Sequence, residues 1–210
     1  MKIEVYHDLT CPWCRIGEKN LKDAMHEWTQ QSGEPFEIIY RSYMLYPEIP
    51  PAGVLFMDMM VRKMGNMSRA YQALEQITKA GAPVGLKFKF DRIEWLPNTL
   101  APHMFLKWID SEKKMQMAEK LFQAYFEQGH NIGDPDVLAG IAETMGHDPN
   151  VVKEVIRSKK TLPEVEQDLE RARNSGIQSI PFFIIQGRLA MAGAHPKDNF
   201  LRAFQEVKAS

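Results

Sequence analysis

Asp8-Leu9-Thr10-Cys11-Pro12-Trp13-Cys14 is the stretch on which the reading of this chain turns. It carries both cysteines of the protein, three positions apart. Before it, Lys2-Ile3-Glu4-Val5-Tyr6 alternates apolar and polar side chains, the period of a strand. After it, Ile16 to Gln31 is amphipathic and reads as a helix. A Cys-x-x-Cys pair at such a junction is a candidate dithiol redox site.

The chemistry explains the spacing. A thiolate, not a thiol, attacks a disulfide. The unpaired N–H groups and the dipole at a helix start favour an anion, and Cys11 falls at that start. Pro12 suits a first helical turn because it has no N–H to lose. Cys14 lies one turn on, on the same side, and can close a disulfide with Cys11. Cys11 is therefore read as the attacking thiolate and Cys14 as the resolving thiol, with Pro12 and Trp13 tuning the Cys11 sulfur. Two inert buried cysteines would need no helix start between them. Zinc normally takes four ligands, and none of the six histidines forms a close pair, so no metal is expected.

The 210 residues suit one large domain, or one domain carrying a subdomain. With 44% hydrophobic and 25% charged residues, the composition is that of an ordinary globular protein. A formal net charge of -1 gives no pull toward nucleic acid or membrane. The basic cluster Lys153, Arg157, Lys159 and Lys160 reads as solvated helix face. No apolar run approaches the roughly 20 residues of a membrane helix. Charges stand where a signal peptide needs its apolar core, so the expectation is a cytoplasmic protein. In the cytosol a lone cysteine pair is more often catalytic than structural.

Farther along, Leu21, Met25 and Trp28 mark the buried face of the first helix, which stops at Gly33 and Pro35. Phe36 to Leu45 reads as a strand, apolar on both faces and so central and doubly covered. Strand, helix, strand implies a parallel pair with a right-handed crossover. From Pro47 the pattern turns helical. Val54 to Met64 and Ser68 to Ala80 read as helices, and Lys87 to Phe90 as a short extended piece. Asn98 or Thr99 caps the next helix, whose stripe is Leu100, Met104 and Trp108. Met117, Leu121, Tyr125 and Phe126 mark another. Asp134-Pro135 and Asp148-Pro149 each pair a cap with a first-turn proline. A charged helix through Val165, Leu169 and Ala172 ends near Gly176. Strands return at Phe182 to Ile185 and Arg188 to Ala192, joined by a tight turn at Gln186-Gly187. A last helix buries Phe200, Leu201, Phe204 and Val207. So much helix cannot be a loop. It reads as an α-helical subdomain over residues 47–175, inserted into a domain formed by residues 1–46 and 176–210.

This order resembles an α/β thioredoxin-like fold with a large inserted α-helical subdomain, as in the DsbA family and its FrnE-like, cytosolic branch. The resemblance rests on Asp8, Cys11-Pro12-Trp13-Cys14, Asn98-Thr99 with His103, Ile180-Pro181-Phe182-Phe183, Gly187 and Gly193-Ala194. It implies a thiol–disulfide oxidoreductase acting on protein or small-molecule thiols and disulfides. No tightly bound cofactor is implied, and glutathione is a candidate redox partner. It also implies a cis Ile180–Pro181 peptide facing the cysteines, with the Ile180 backbone free to hold an extended substrate. Neither nucleic acid nor membrane is an implied partner, and no oligomeric state is set. Relatives without the cysteine pair are glutathione transferases or isomerases, such as 2-hydroxychromene-2-carboxylate isomerase, and this is the alternative reading. A second alternative is a non-enzymatic holdase using an apolar groove in the insert. Some FrnE-like proteins carry a second, C-terminal cysteine pair, which this sequence lacks. The methionines Met57, Met59, Met60, Met64 and Met67 suit either an adaptable groove or a helical core. Asp8 is read as orienting the loop, His7 and His103 as candidate site neighbours, and Trp95, Tyr125 and Phe126 as core.

Overall fold

The computed structural model describes residues 1–209. The chain opens with β1 (Lys2–His7), α1 (Pro12–Ser32) and β2 (Glu37–Ser42). Then come β3 (Val54–Leu55), α2 (Phe56–Met64), α3 (Met67–Gly81) and β4 (Trp95–Leu96). The helices α4 (Leu100–Trp108), α5 (Ser111–Phe126), α6 (Pro135–Glu143), α7 (Pro149–Arg157) and α8 (Leu162–Asn174) follow. The chain closes with β5 (Phe182–Ile185), β6 (Leu189–Ala192) and α9 (Lys197–Ala209).

The main sheet has the order β2-β1-β5-β6. β1 runs parallel to β2, with Val5 opposite Tyr40, and antiparallel to β5, with Val5 opposite Phe183. The sheet is therefore mixed, with β1 in its interior, and β1 delivers the chain straight into the cysteine loop. Gln186 and Gly187 both have positive φ, 52° and 66°, in the three-residue loop that joins the paired Ile185 and Leu189 of β5 and β6. α1 and α9 pack together over the sheet, the Trp28 and Phe204 rings meeting edge-on at 5.7 Å. One apolar core runs from Ile3 and Val5 through Leu121 and Phe122 to Val152 and Val165.

The local signals for the helices hold. Asp134 and Asp148 accept hydrogen bonds from the backbone N–H of Asp136 and Asn150, each at 2.8 Å, and each precedes a first-turn proline. Asn98, rather than Thr99, holds the start of α4, its Oδ1 accepting from the Leu100 N–H at 2.9 Å. α1 ends at Gly33, whose φ of 69° lets its N–H return to the Thr29 carbonyl.

Five expectations need correction. β2 is an edge strand, not a central one. Its apolar positions are covered by α5 and α8, which supply the second covering layer that a neighbouring strand would otherwise imply. It also ends at Ser42 rather than Leu45. The helix expected from Val54 starts at Phe56, because Val54 and Leu55 pair antiparallel with Leu96 and Trp95. Residues 87–90 form no strand; Phe90–Arg92 is a 3₁₀ turn. Trp95 is exposed, being on the outer side of that two-residue ladder.

Candidate active site

Cys11 is the N-cap of α1, with extended φ and ψ of -89° and 111°. Its Sγ accepts a hydrogen bond from the Cys14 N–H at 3.3 Å. The first turn of the helix thus spends one of its unpaired donors on the sulfur, a bond that an anionic sulfur accepts better than a thiol. Pro12 opens the helix without wasting a donor. Both thiols are free. Cys11 is 4% exposed and Cys14 not at all, whereas the Trp13 between them is 42% exposed. Burial pushes the Cys14 thiol well above its ordinary range, and Cys11 and Glu18 add to the push.

Asp8 shapes the loop from beneath. Its carbonyl accepts the Cys11 N–H at 3.0 Å. Its carboxylate accepts the Leu45 N–H at 2.7 Å, and Thr10 through both N–H and hydroxyl at 3.4 Å. His103 Nε2 lies 3.7 Å from Asp8 Oδ1 and donates to the Tyr43 carbonyl at 3.0 Å. Burial alone would push Asp8 up. His103, the Leu45 N–H and Thr99 together outweigh it and hold the carboxyl below its usual range. Asp8 is thus a fixed anion tying the cysteine loop to the segment after β2, which is the orienting role read from the sequence.

His7 and His103 are both fully buried and their rings lie 5.8 Å apart. His7 Nδ1 donates to Glu18 Oε1 at 2.7 Å, and its Nε2 has no hydrogen-bond partner among the described residues. No three His, Cys, Asp or Glu side chains are grouped to hold a metal ion among the described residues.

The Ile180–Pro181 peptide is cis, as the resemblance implies. The Pro181 carbonyl accepts the Gly193 N–H at 2.8 Å, while the Ile180 backbone makes no hydrogen bond within the described residues. This loop meets α1 at Gly17. A Cβ there would stand 2.9 Å from Pro181 Cγ and 3.2 Å from Phe183 Cζ, so only glycine permits the approach. Gly17, three residues after Cys14, was not singled out from the sequence, although its spacing puts it on the Cys14 face. Glu18 and Arg15 were missed too. The methionines divide between uses. Met59 lines a groove of about 410 Å³ with Ile49 and Leu55, and Met57 lines one of about 490 Å³ with Tyr71 and Phe90.

Comparison with known proteins agrees with this fold. The family described as DSBA-like thioredoxin domain matches residues 2–205. An uncharacterized protein of Bacillus subtilis, YwbO, is 27% identical over 206 residues, covering 97% of this chain and 96% of its own. The crystal structure of a probable DsbA oxidoreductase from Streptomyces coelicolor superposes with a TM-score of 0.90 at 21% identity. It covers 100% of this chain and 91% of that one. The cytosolic disulfide reductase DsbM from Pseudomonas aeruginosa, solved with glutathione, superposes with a TM-score of 0.65 at 17% identity, covering 100% and 99%. At these identities both structures speak for the fold.

Proposed function

The chain belongs to the DSBA-like thioredoxin-domain family, and from that premise we propose that it is a thiol–disulfide oxidoreductase working through Cys11 and Cys14. The observation that carries this reading is the helix-capping Cys11 sulfur with a second free, buried thiol one turn behind it. The Cys11 thiolate attacks one sulfur of a substrate disulfide. The substrate S–S bond breaks, its other sulfur leaves as a thiolate, and a mixed disulfide forms on Cys11. Cys14, once deprotonated, attacks Cys11 Sγ, releases the second substrate sulfur and closes the Cys11–Cys14 disulfide. The substrate is then reduced by two electrons and the enzyme oxidised by two. The same steps in reverse oxidise a dithiol.

The other site residues have supporting parts. Pro12 and Trp13 tune the Cys11 sulfur, and the exposed Trp13 indole gives an incoming chain an apolar surface. The unbonded Ile180 backbone, held by the Pro181 loop, offers an extended substrate strand-like hydrogen bonds. Glutathione, present with the Pseudomonas reductase, is the thiol we assign to turning the enzyme over. No helix is long and apolar enough to cross a membrane among the described residues. We place the protein in the cytosol, in the FrnE-like branch, acting on protein or small-molecule disulfides.

The test is equilibration in graded glutathione redox buffers, with free thiols counted by mass after alkylation. One two-electron transition between the dithiol and the Cys11–Cys14 disulfide is expected, its midpoint setting the direction of the reaction within the about -270 to -120 mV spanned by thioredoxin-fold proteins. Thiols that stay reduced throughout, or stop at a glutathione adduct on Cys11, overturn the reading in favour of a glutathione transferase or isomerase.

A further inference from the structure

A glycine inside a helix is costly, because it loses more conformational freedom on folding than any other residue. α1 nonetheless carries Gly17 on its buried face, one turn after Cys14. What the position gains is closeness. A Cβ there would meet Pro181 Cγ at 2.9 Å, Phe183 Cζ at 3.2 Å and the Ala194 Cα at 3.4 Å. The entrance to β5, its interior and the segment after β6 all converge on one bare backbone position of the cysteine helix. Gly140 in α6 makes the contrast: it is helical too, and a Cβ on it would meet nothing within 4 Å.

Asn20, three residues further along α1 and also buried, secures the same contact by hydrogen bonds. Its Nδ2 donates to the His195 carbonyl at 2.9 Å. The His195 N–H donates to the Gly193 carbonyl at 2.9 Å, and the Gly193 N–H to the Pro181 carbonyl at 2.8 Å. Hydrogen bonds thus lead step by step from the cysteine helix to Pro181. Asn199 Nδ2 lies 3.1 Å from His195 Nδ1 and ties the same segment to α9. The strand register shows what this arrangement governs. Phe182 pairs with Tyr6, so Pro181 and Ile180 stand at the end of the sheet where β1 runs into the cysteine loop. The Ile180 backbone makes no hydrogen bond within the described residues. A free backbone donor and acceptor held at a set distance from a reactive sulfur suit an extended polypeptide.

We propose that Gly17 and Asn20 are positioning residues that seat the Pro181 loop where the Ile180 backbone can grip a substrate backbone, and that they thereby make polypeptide disulfides the substrates of this site. The proposal rests on the redox reading above and deepens it by naming the substrate class. Gly17 sets how near the loop comes to the cysteine helix, and Asn20 holds it there. A methyl group at position 17 has to displace Pro181 and Phe183, and the grip on substrate backbone is lost with the displacement.

Two probes with the same reacting bond test this. One is an extended peptide whose single, central cysteine is joined by a disulfide to thionitrobenzoate, and the other is N-acetylcysteinamide joined in the same way. In each, the Cys11 thiolate attacks the cysteine sulfur of the probe. The bond to thionitrobenzoate breaks, thionitrobenzoate leaves as a coloured thiolate, and a mixed disulfide forms on Cys11. The ratio of the two second-order rate constants, peptide over single residue, measures the grip on backbone. Gly17→Ala is expected to lower that ratio about tenfold, the worth of one or two hydrogen bonds. Gly140→Ala makes the same exchange with no neighbour to strike, and should keep the ratio. A role confined to stability moves the melting temperature and slows both probes alike. A ratio retained in Gly17→Ala, an equal fall in Gly140→Ala, or no preference for the peptide in the unsubstituted protein overturns the inference alone. No release from either probe by the unsubstituted protein overturns the redox reading, and this inference with it. If Gly17→Ala does not fold, Asn20→Ala decides. Loss of its hydrogen bond to His195 should lower the ratio about threefold, and a retained ratio overturns the proposal.

Discussion

Two buried charge clusters tie the helices between β2 and β5 to the rest of the fold, and their polarity is opposite. Beside the cysteines the buried member is a cation. Arg15 donates through Nη1 to the Lys87 carbonyl at 3.0 Å and through Nη2 to Glu119 at 3.3 Å and to Glu127, with its guanidinium over the Phe88 ring. On the far side of β1 the buried member is an anion. Asp168 of α8 accepts the Ser42 N–H at 2.8 Å, Arg41 Nη1 at 3.1 Å and the Lys107 ammonium, while Arg41 also reaches Glu4 at 2.7 Å. The partners differ in their access to water. Glu119 and Glu127 are 31% and 32% exposed, whereas Lys107 and Arg41 are 11% and 18% exposed. The cost of breaking a cluster depends on what is left behind in the dry interior. By that rule the Asp168 cluster is the more vulnerable of the two.

The largest effect is therefore expected for Asp168→Ala. It strands two shielded cations and a backbone N–H, and should cost about 3–5 kcal/mol in urea unfolding. Arg15→Ala leaves carboxylates that can turn to water and mainly loses packing over Phe88, so about 2 kcal/mol is expected. A larger loss for Arg15→Ala than for Asp168→Ala would break the comparison. Asp8→Asn extends it to the second buried anion, keeping an acceptor for Leu45 but losing the charge, and should cost about 1 kcal/mol at pH 7. Since Asp8 is held below its usual range, its contribution is fully present above the unfolded value near 3.8 and is lost as pH falls through the folded one. The difference between the variant and the unsubstituted protein should accordingly close in acid titrations. The smallest effect should have the opposite sign. Lys114, lowered by burial and by the neighbouring Lys107, is a surplus cation beside the Asp168 cluster. A lysine whose folded value is lowered binds fewer protons folded than unfolded, so stability rises as pH climbs through that value toward 10.5. Lys114→Met should gain up to about 0.5 kcal/mol in thermal melts at neutral pH, and the gain should shrink under alkaline conditions.

Most of the elements were legible because their signals are local. The first-turn prolines after Asp134 and Asp148, the glycine closing α1 and the Gln186-Gly187 turn act within a few residues. The edge position of β2 was not legible. Apolar side chains on both faces report only that the strand is covered, and helices cover it as well as strands do. Val54 and Leu55 read locally as helix, because the partners that make them strand, Leu96 and Trp95, lie about forty residues on. Around the site, the cysteines and the proline loop stood out by motif. Gly17 and Glu18 carried a usable signal, their spacing of three and four from Cys14, but nothing in sequence says which face of a helix will be lined by histidine.

What the sequence determined by itself is the chemistry at hand and the framework that presents it. It places a thiol at a helix start with a second thiol one turn behind, a strand leading in, and enough apolar periodicity to bury both. Those features depend on neighbours along the chain, whose energies are set by backbone geometry. Only the tertiary structure decided which charges meet. Arg15 finds Glu119 and Glu127 across separations of 104 and 112 residues, and Ser42 finds Asp168 across 126. His7, the last residue of β1, closes on Glu18 of α1 at 2.7 Å across the cysteine loop. Such pairings follow from the burial of whole surfaces, and no local pattern of residues encodes them.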